Sequence, residues 1–271
     1  MSVSVLSIMN QKGGCGKTTT AINLAACLAY RGKRLLLVDL DPEQHASIGL
    51  RGGQIHQPAH PLSRVLLGSA ALAEAAVPVS ENLHLVPADE DLENLAREAA
   101  GRTLERQSLE RALAPVREHF DFVVLDCPPA CGPLTHCALF AADEVIIAVE
   151  TSFFALNGVK RLLDLIEKSR RQSGRPRRVR ALATMFDRRT NFAREVLAEI
   201  KSYFHEALYD SVIGYAVRLK EASSHGLSIA DYDRSSRAFA DYLGLADEVL
   251  RVVPASAASE NLQPKRRSLY G

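Results

Sequence analysis

Short aliphatic runs with almost no polar alternation recur along the chain at Val3–Met9, Arg34–Asp39, Phe122–Asp126, Glu144–Val149 and Val179–Met185. Each predicts a strand buried on both faces, and Leu83–Pro87 predicts a shorter one. Between them, apolar positions recur with the period of a helix. The clearest case is Thr18–Arg31, through Ile22, Leu24, Ala25 and Leu28. The same period predicts helices over Leu104–His119, Leu156–Arg171, Asn191–Tyr203 and Arg237–Val253. Buried strands separated by helices need crossover connections. The pattern therefore predicts an α/β fold, with a single doubly wound, mostly parallel sheet flanked by helices. One domain accounts for residues 1–253, and the Ala/Ser-rich stretch 254–271 reads as a disordered tail.

Composition narrows the class without naming a function. The 271 residues are 47% hydrophobic, enough for a sizeable core, and no run approaches the roughly 20 apolar residues of a spanning helix. Formal net charge is +1, so any affinity for nucleic acid must come from local clusters of cations. No secretory signal is visible before the glycine loop. The five cysteines, Cys15, Cys27, Cys127, Cys131 and Cys137, are odd in number and irregularly spaced. They read as reduced thiols of a cytoplasmic protein.

Chemistry concentrates first in Lys12-Gly13-Gly14-Cys15-Gly16-Lys17-Thr18-Thr19, between a predicted strand and a predicted helix. A loop that wraps a phosphate needs glycines, because side chains would intrude between the anion and the converging N–H groups. The helix that follows adds its positive end. Lys17 is placed to reach β- and γ-phosphates and the Thr18 hydroxyl to ligate Mg²⁺. The usual G-x-x-x-x-G-K-[ST] pattern would put its first glycine at Gln11, so the loop is a deviant one, with an added lysine at Lys12. Left to itself, Lys12 could also be a solvated loop lysine.

Two predicted strands end in carboxylates. Asp39 and Asp126 stand where α/β sheets place their sites and could hold the waters of a Mg²⁺ ion. Asp41 lies two residues beyond Asp39, on the same side of an extended segment, although an aspartate before Pro42 can equally cap a turn.

Gln11–Thr20 resembles the deviant phosphate loop of the ParA/MinD ATPases, and the resemblance runs from Val5 to about Val253. It is closer to the short chromosomal ParA type, often called Soj, than to MinD. The resemblance implies a slow ATPase with ATP and Mg²⁺ as cofactors. Lys12 would reach the nucleotide of a partner subunit in an ATP-dependent homodimer, and Asp41 would orient the attacking water. It further implies nonspecific binding of double-stranded DNA through Arg189 and Arg218, with Lys220 adjacent, and activation by a ParB-like protein. The expected place is the cytoplasm, on the nucleoid, partitioning chromosome, plasmid or other cargo.

The chain departs from the family pattern in several places. Asp41-Pro42-Glu43-Gln44-His45 stands for D-P-Q-G-N, Gly214-Tyr215-Ala216 for Pro-Arg-Asn, and Asn157 for a glutamate. The second of these changes a segment near the expected adenine site. A basic run from Lys168 to Arg180 offers further phosphate contacts, or is a solvated helix end. Residues 254–271 lack an apolar helical face, so no membrane attachment is expected. Two other functions remain open: a positioning or regulatory ATPase that does not use DNA, and a metal-cluster carrier. The latter rests on Cys127 and Cys131, which lack the C-x-x-C spacing carriers generally use.

Overall fold

The computed structural model describes residues 3–50, 58–97 and 104–252. The chain runs β1 (Ser4–Met9), α1 (Lys17–Tyr30), β2 (Leu35–Asp39), α2 (His45–Gly49), α3 (Leu62–Leu66), α4 (Leu72–Ala75), β3 (Val77–Ser80), β4 (Leu83–Val86) and α5 (Leu92–Ala96). It continues through α6 (Ser108–Leu113), β5 (Phe122–Asp126), α7 (Pro133–Ala141), β6 (Glu144–Glu150), α8 (Val159–Ser173), β7 (Arg178–Phe186) and α9 (Asn191–Phe204). The last elements are β8 (Leu208–Gly214), α10 (Val217–Ser224), α11 (Ile229–Tyr232) and α12 (Arg237–Val252).

Among the described residues the strands form one sheet in the order β3-β4-β2-β5-β1-β6-β7-β8. Every pairing is parallel except that of β3 with β4. From β1 the chain crosses to β2 on one side, and after β5 it crosses to β6 on the other. The carboxyl end of β1 is therefore where connections diverge, and a crevice opens there.

Alternate strand residues feed two cores. Leu36, Val38, Val123, Leu125, Val145 and Ile147 join one core with residues of α3 to α9, while Leu35, Leu37, Val124 and Ile146 join the other with α1 and α12. Central strands are apolar at both parities because both faces are covered. Helix α12 is tied to α1 by the Thr20–Tyr242 hydroxyl pair (3.3 Å) and an Arg31–Asp247 ion pair.

The predicted doubly wound sheet is thus present, with local differences. The expected helix over Leu104–His119 is only Ser108–Leu113 with a 3₁₀ turn at Ala114–Val116, because Pro115 has no N–H to continue the ladder. Helix α8 starts at Val159, not Leu156, since Gly158 is left-handed (φ 81°). The edge strands β3 and β8 carry polar residues on their open sides, so they show no continuous apolar run. The predicted disordered tail lies outside the described residues.

Leu37 sits wholly buried in β2 between Leu85 of β4 and Val124 of β5. Leu37→Ala is expected to cost about 2–5 kcal/mol in urea unfolding, as transfer and cavity losses add. A loss below about 1 kcal/mol would contradict this packing.

Candidate nucleotide site

The loop after β1 is fixed by its own backbone and by β6 and β7. Asn10 donates from Nδ2 to the Ala148 carbonyl (2.6 Å) and accepts from the Lys12 N–H (3.1 Å). Gly14 and Gly16 adopt left-handed conformations (φ 73° and 89°) that disfavour a side chain. Thr184 of β7 donates its hydroxyl to the Cys15 carbonyl (2.8 Å). The buried Cys15 thiol and the Lys17 ammonium both donate to the Lys12 carbonyl (3.2 and 3.1 Å). Gly16 precedes α1 and no side chain caps that helix, so the first-turn N–H groups face the loop's cradle. Gly13–Thr19 therefore curl from the end of β1 into α1, with Thr18 and Thr19 in the first turn of that helix.

Asp39 and Asp126 are the final residues of β2 and β5 and are paired in register. Both are wholly buried. Asp39 accepts from the Ser47 hydroxyl (2.6 Å), the Ser47 N–H (2.8 Å) and the Asp41 N–H (3.1 Å). Burial nonetheless pushes its pKa up to about 6, with the Asp41 charge adding and the Ser47 bonds opposing. Asp126 has no hydrogen-bond partner on either carboxylate oxygen. Burial first, then the neighbouring Asp39 charge, raise it well above the usual carboxylate range; the nearby Thr18 hydroxyl and Lys17 offset only part. A buried carboxylate without a partner carries a large desolvation cost. Hard oxygen donors from Asp126, Asp39 and Thr18 fit a Mg²⁺ ion, which would relieve that cost.

Asp41 is buried beside this pair, and its Oδ1 accepts the Glu43 N–H (3.1 Å), so the turn-capping role exists alongside a place at the site. Lys12 is not a solvated lysine: its ammonium pairs with Glu150 and donates to the Ser152 hydroxyl (2.9 Å). Ser47, Glu150, Ser152, Asn10 and Thr184 escaped the sequence reading. Asn10 and Thr184 had left one trace, a polar residue at the end of an apolar strand.

The two cysteines of the cluster reading diverge. Cys127 is buried against the Ser7 hydroxyl (3.3 Å), whereas Cys131 is exposed and accepts from Gln11 (3.0 Å). Burial pushes the thiols of Cys27, Cys127 and Cys137 up to about 12, away from the thiolate a cluster needs.

Of the predicted DNA-contacting residues, Arg189 follows β7 while Arg218 and Lys220 lie in α10 after β8, and the Tyr215 N–H to Phe186 carbonyl bond (3.1 Å) ties the ends of β7 and β8 together. Arg189, Tyr215 and Val217 line one depression of about 320 Å³. Arg189 is 83% exposed and pairs with Asp187, whose carboxyl it holds down at about 2. Arg218 pairs with Glu221 and Asp233, and the Lys220 ammonium sits 5.1 Å from the Tyr215 ring centre. The Lys168–Arg180 run is largely structural instead. Arg175 pairs with Asp143, Arg178 with Glu144, and Arg180 with Glu248 while stacking on Tyr209. Of the cations in that run only Lys168, Arg171 and Arg177 are exposed.

A doubly wound sheet with a glycine loop at its switch point and a buried carboxylate pair beside it defines a P-loop nucleotide-binding protein. The family profile described as "AAA domain" matches residues 3–177. The chain is 39% identical over 249 residues to the sporulation initiation inhibitor protein Soj of Bacillus subtilis, covering 90% of this chain and 97% of that one. It is 38% identical to the chromosome partitioning protein ParA of Caulobacter vibrioides, covering 91% and 93%. Among solved structures it is similar to the cobyrinic acid a,c-diamide synthase of Mycobacterium smegmatis with bound ADP and magnesium. That likeness has a TM-score of 0.78 and 31% identity, over 92% of this chain and 94% of that one. The chain belongs to the ParA/MinD family of P-loop ATPases. As a member of that family it is an ATPase whose cofactors are ATP and Mg²⁺.

The carboxylates generate a pH prediction for the metal-free protein. A buried acid with a raised native pKa binds its proton more tightly when folded, so this stability is full below the unfolded pKa of about 3.9, falls as pH rises from there, and is lost once pH passes the native pKa of about 6. Asp126→Asn removes the charge at similar shape. In chelator at about pH 7.5 it is expected to melt above the unmodified protein by scanning fluorimetry. A lower melting point would refute the account of Asp126.

Proposed function

We propose that this family ATPase is a partitioning switch: ATP drives dimerisation, the dimer binds duplex DNA without sequence preference, and a ParB-like protein stimulates hydrolysis. The observation that carries the reading is Lys12, a second lysine whose backbone is built into the phosphate loop but whose ammonium is held outside its own phosphate cradle. A lysine so placed suits a nucleotide held by another subunit. The adjoining surface supports a covered face, since Phe153 and Phe154 stack edge to face and are 74% and 56% exposed.

In the mechanism, the Gly13–Thr19 N–H groups and Lys17 bind and orient the triphosphate of the substrate. Asp39, Asp126 and Thr18 would hold Mg²⁺, which supplies charge neutralisation at the phosphate oxygens. Asp41, buried beside them, orients the attacking water, and Lys12 adds its charge from the opposite subunit. Dimerisation then doubles the cationic surface formed by the end of β7 and by α10, so weak phosphate contacts by Arg189, Arg218 and Lys220 add as avidity.

A second reading has one observation in its favour. Arg189 and Arg218 are each ion-paired within their own subunit, which suits a positioning ATPase that does not use DNA. Such surface pairs are worth only about 0–1 kcal/mol and yield readily to phosphates, so DNA binding remains the better reading.

Retention on duplex DNA across a salt series separates the two. With ATP, retention is expected and weakens with salt; with ADP it is lost. Arg218→Ala is expected to lower the log–log salt slope by about 0.9 per subunit lost contact, hence roughly 2 per dimer. No retention under any nucleotide, with ATP-driven dimerisation preserved, moves the protein to the second reading. Asp41→Ala is expected to slow ATP turnover by about a hundredfold or more while ATP-dependent dimers persist. Unchanged turnover would remove Asp41 from the mechanism.

A further inference from the structure

Lys12 is restrained in two separate ways. Its backbone is fixed by three bonds: the N–H to Asn10, and the carbonyl accepting from Cys15 and Lys17. Its side chain is held by one ion pair and one hydrogen bond, to Glu150 and Ser152. Those two groups are themselves anchored. Glu150 ends β6 in register with Thr184, the residue whose hydroxyl braces the loop at Cys15. The counter-ion is therefore built on the same framework as the phosphate cradle. Lys12 and Glu150 are 34% and 26% exposed, so the contact lies on the rim, where a stronger anion can displace the carboxylate.

We propose that Glu150 is a positioning residue that parks the Lys12 ammonium on its own subunit and so sets the nucleotide threshold for dimerisation; this rests on the switch reading above. To reach a partner's nucleotide the ammonium must leave one carboxylate, which is singly charged. A triphosphate with its terminal phosphate at the interface offers more charge and more acceptor oxygens than a diphosphate. The Glu150 contact thus penalises the ATP- and ADP-bound dimers equally, raising the threshold so that only the ATP-bound pairing remains favourable.

The test is sedimentation velocity of the full chain with ATP and with ADP, for the unmodified protein, Glu150→Gln, Glu150→Asp and Ser152→Ala. Half-exposed pairs are worth a factor of roughly two to five, and a symmetric dimer opens two of them. The dimer Kd with ATP is therefore expected to fall about tenfold in Glu150→Gln, with dimer now detectable in ADP. Ser152→Ala should shift the same way by less, and Glu150→Asp, which keeps the charge, should stay near the unmodified protein. In a Lys12→Gln background, Glu150→Gln should move nothing, a result a merely structural role would not give. A Glu150→Gln dimer as weak as the unmodified one, or weaker, overturns the proposal. So does an equal shift in the Lys12→Gln background. If the unmodified protein forms no dimer with ATP, the switch reading falls and the proposal with it. If it dimerises but ignores Glu150, only the proposal falls.

Discussion

Asp39 and Asp126 end neighbouring strands side by side, out of water, and only Asp39 has hydrogen-bond donors of its own. Burial raises both carboxyls, with the Asp41 charge adding at Asp39 and the Asp39 charge adding at Asp126, and a cation held there would relieve that cost. The rest of the site is arranged around that unmet demand. Lys17 is folded back over the loop, Thr18 opens α1 beside Asp126, and the N–H groups of the first turn point at the same place. A ligand that satisfies this pair therefore stabilises the folded chain by binding it.

The sheet makes this placement possible. Parallel strands buried on both faces bring every carboxyl end to one edge, and the divergence of connections at β1 leaves room there for the loop. The supports come from both sides: Asn10 reaches Ala148 of β6, and Thr184 of β7 reaches Cys15. Ser47 ties the other flank, since its hydroxyl donates to Asp39 and accepts from the Ala88 N–H. Asn23 links α1 to the far loops by accepting the Ile229 N–H while donating to the Thr19 carbonyl. The helix that follows the phosphate loop is thus hydrogen-bonded to α11.

Gly14 and Gly16 were legible as phosphate-loop residues because few loops need two glycines ahead of Lys-Thr at the mouth of a helix. Asp39 and Asp126 were legible because a charged residue ending an apolar strand has few structural reasons to be there. The strands β1, β2, β5, β6 and β7 could be read from hydrophobicity alone, since both their faces are covered. The edge strands could not. In β8, Asp210, Ser211 and Gly214 break the apolar run because one side of the strand has no neighbour. The basic run showed the opposite error: charge density in sequence suggested an open patch, yet Arg175, Arg178 and Arg180 fold onto acids from β6 and α12.

What the sequence determined was local: the period of each buried element, the curl that glycine allows, and the residue types a phosphate and a divalent ion require. These depend on neighbours along the chain, so they survive without coordinates. The tertiary structure decided which distant groups meet. Glu150 lies far from Lys12 in sequence and carries no motif, yet the β1–β6 pairing puts it against that ammonium. Asp126 became an unpartnered carboxylate only because β5 lies between β1 and β2. Burial and charge pairing are properties of the packed chain, and no window of sequence contains them.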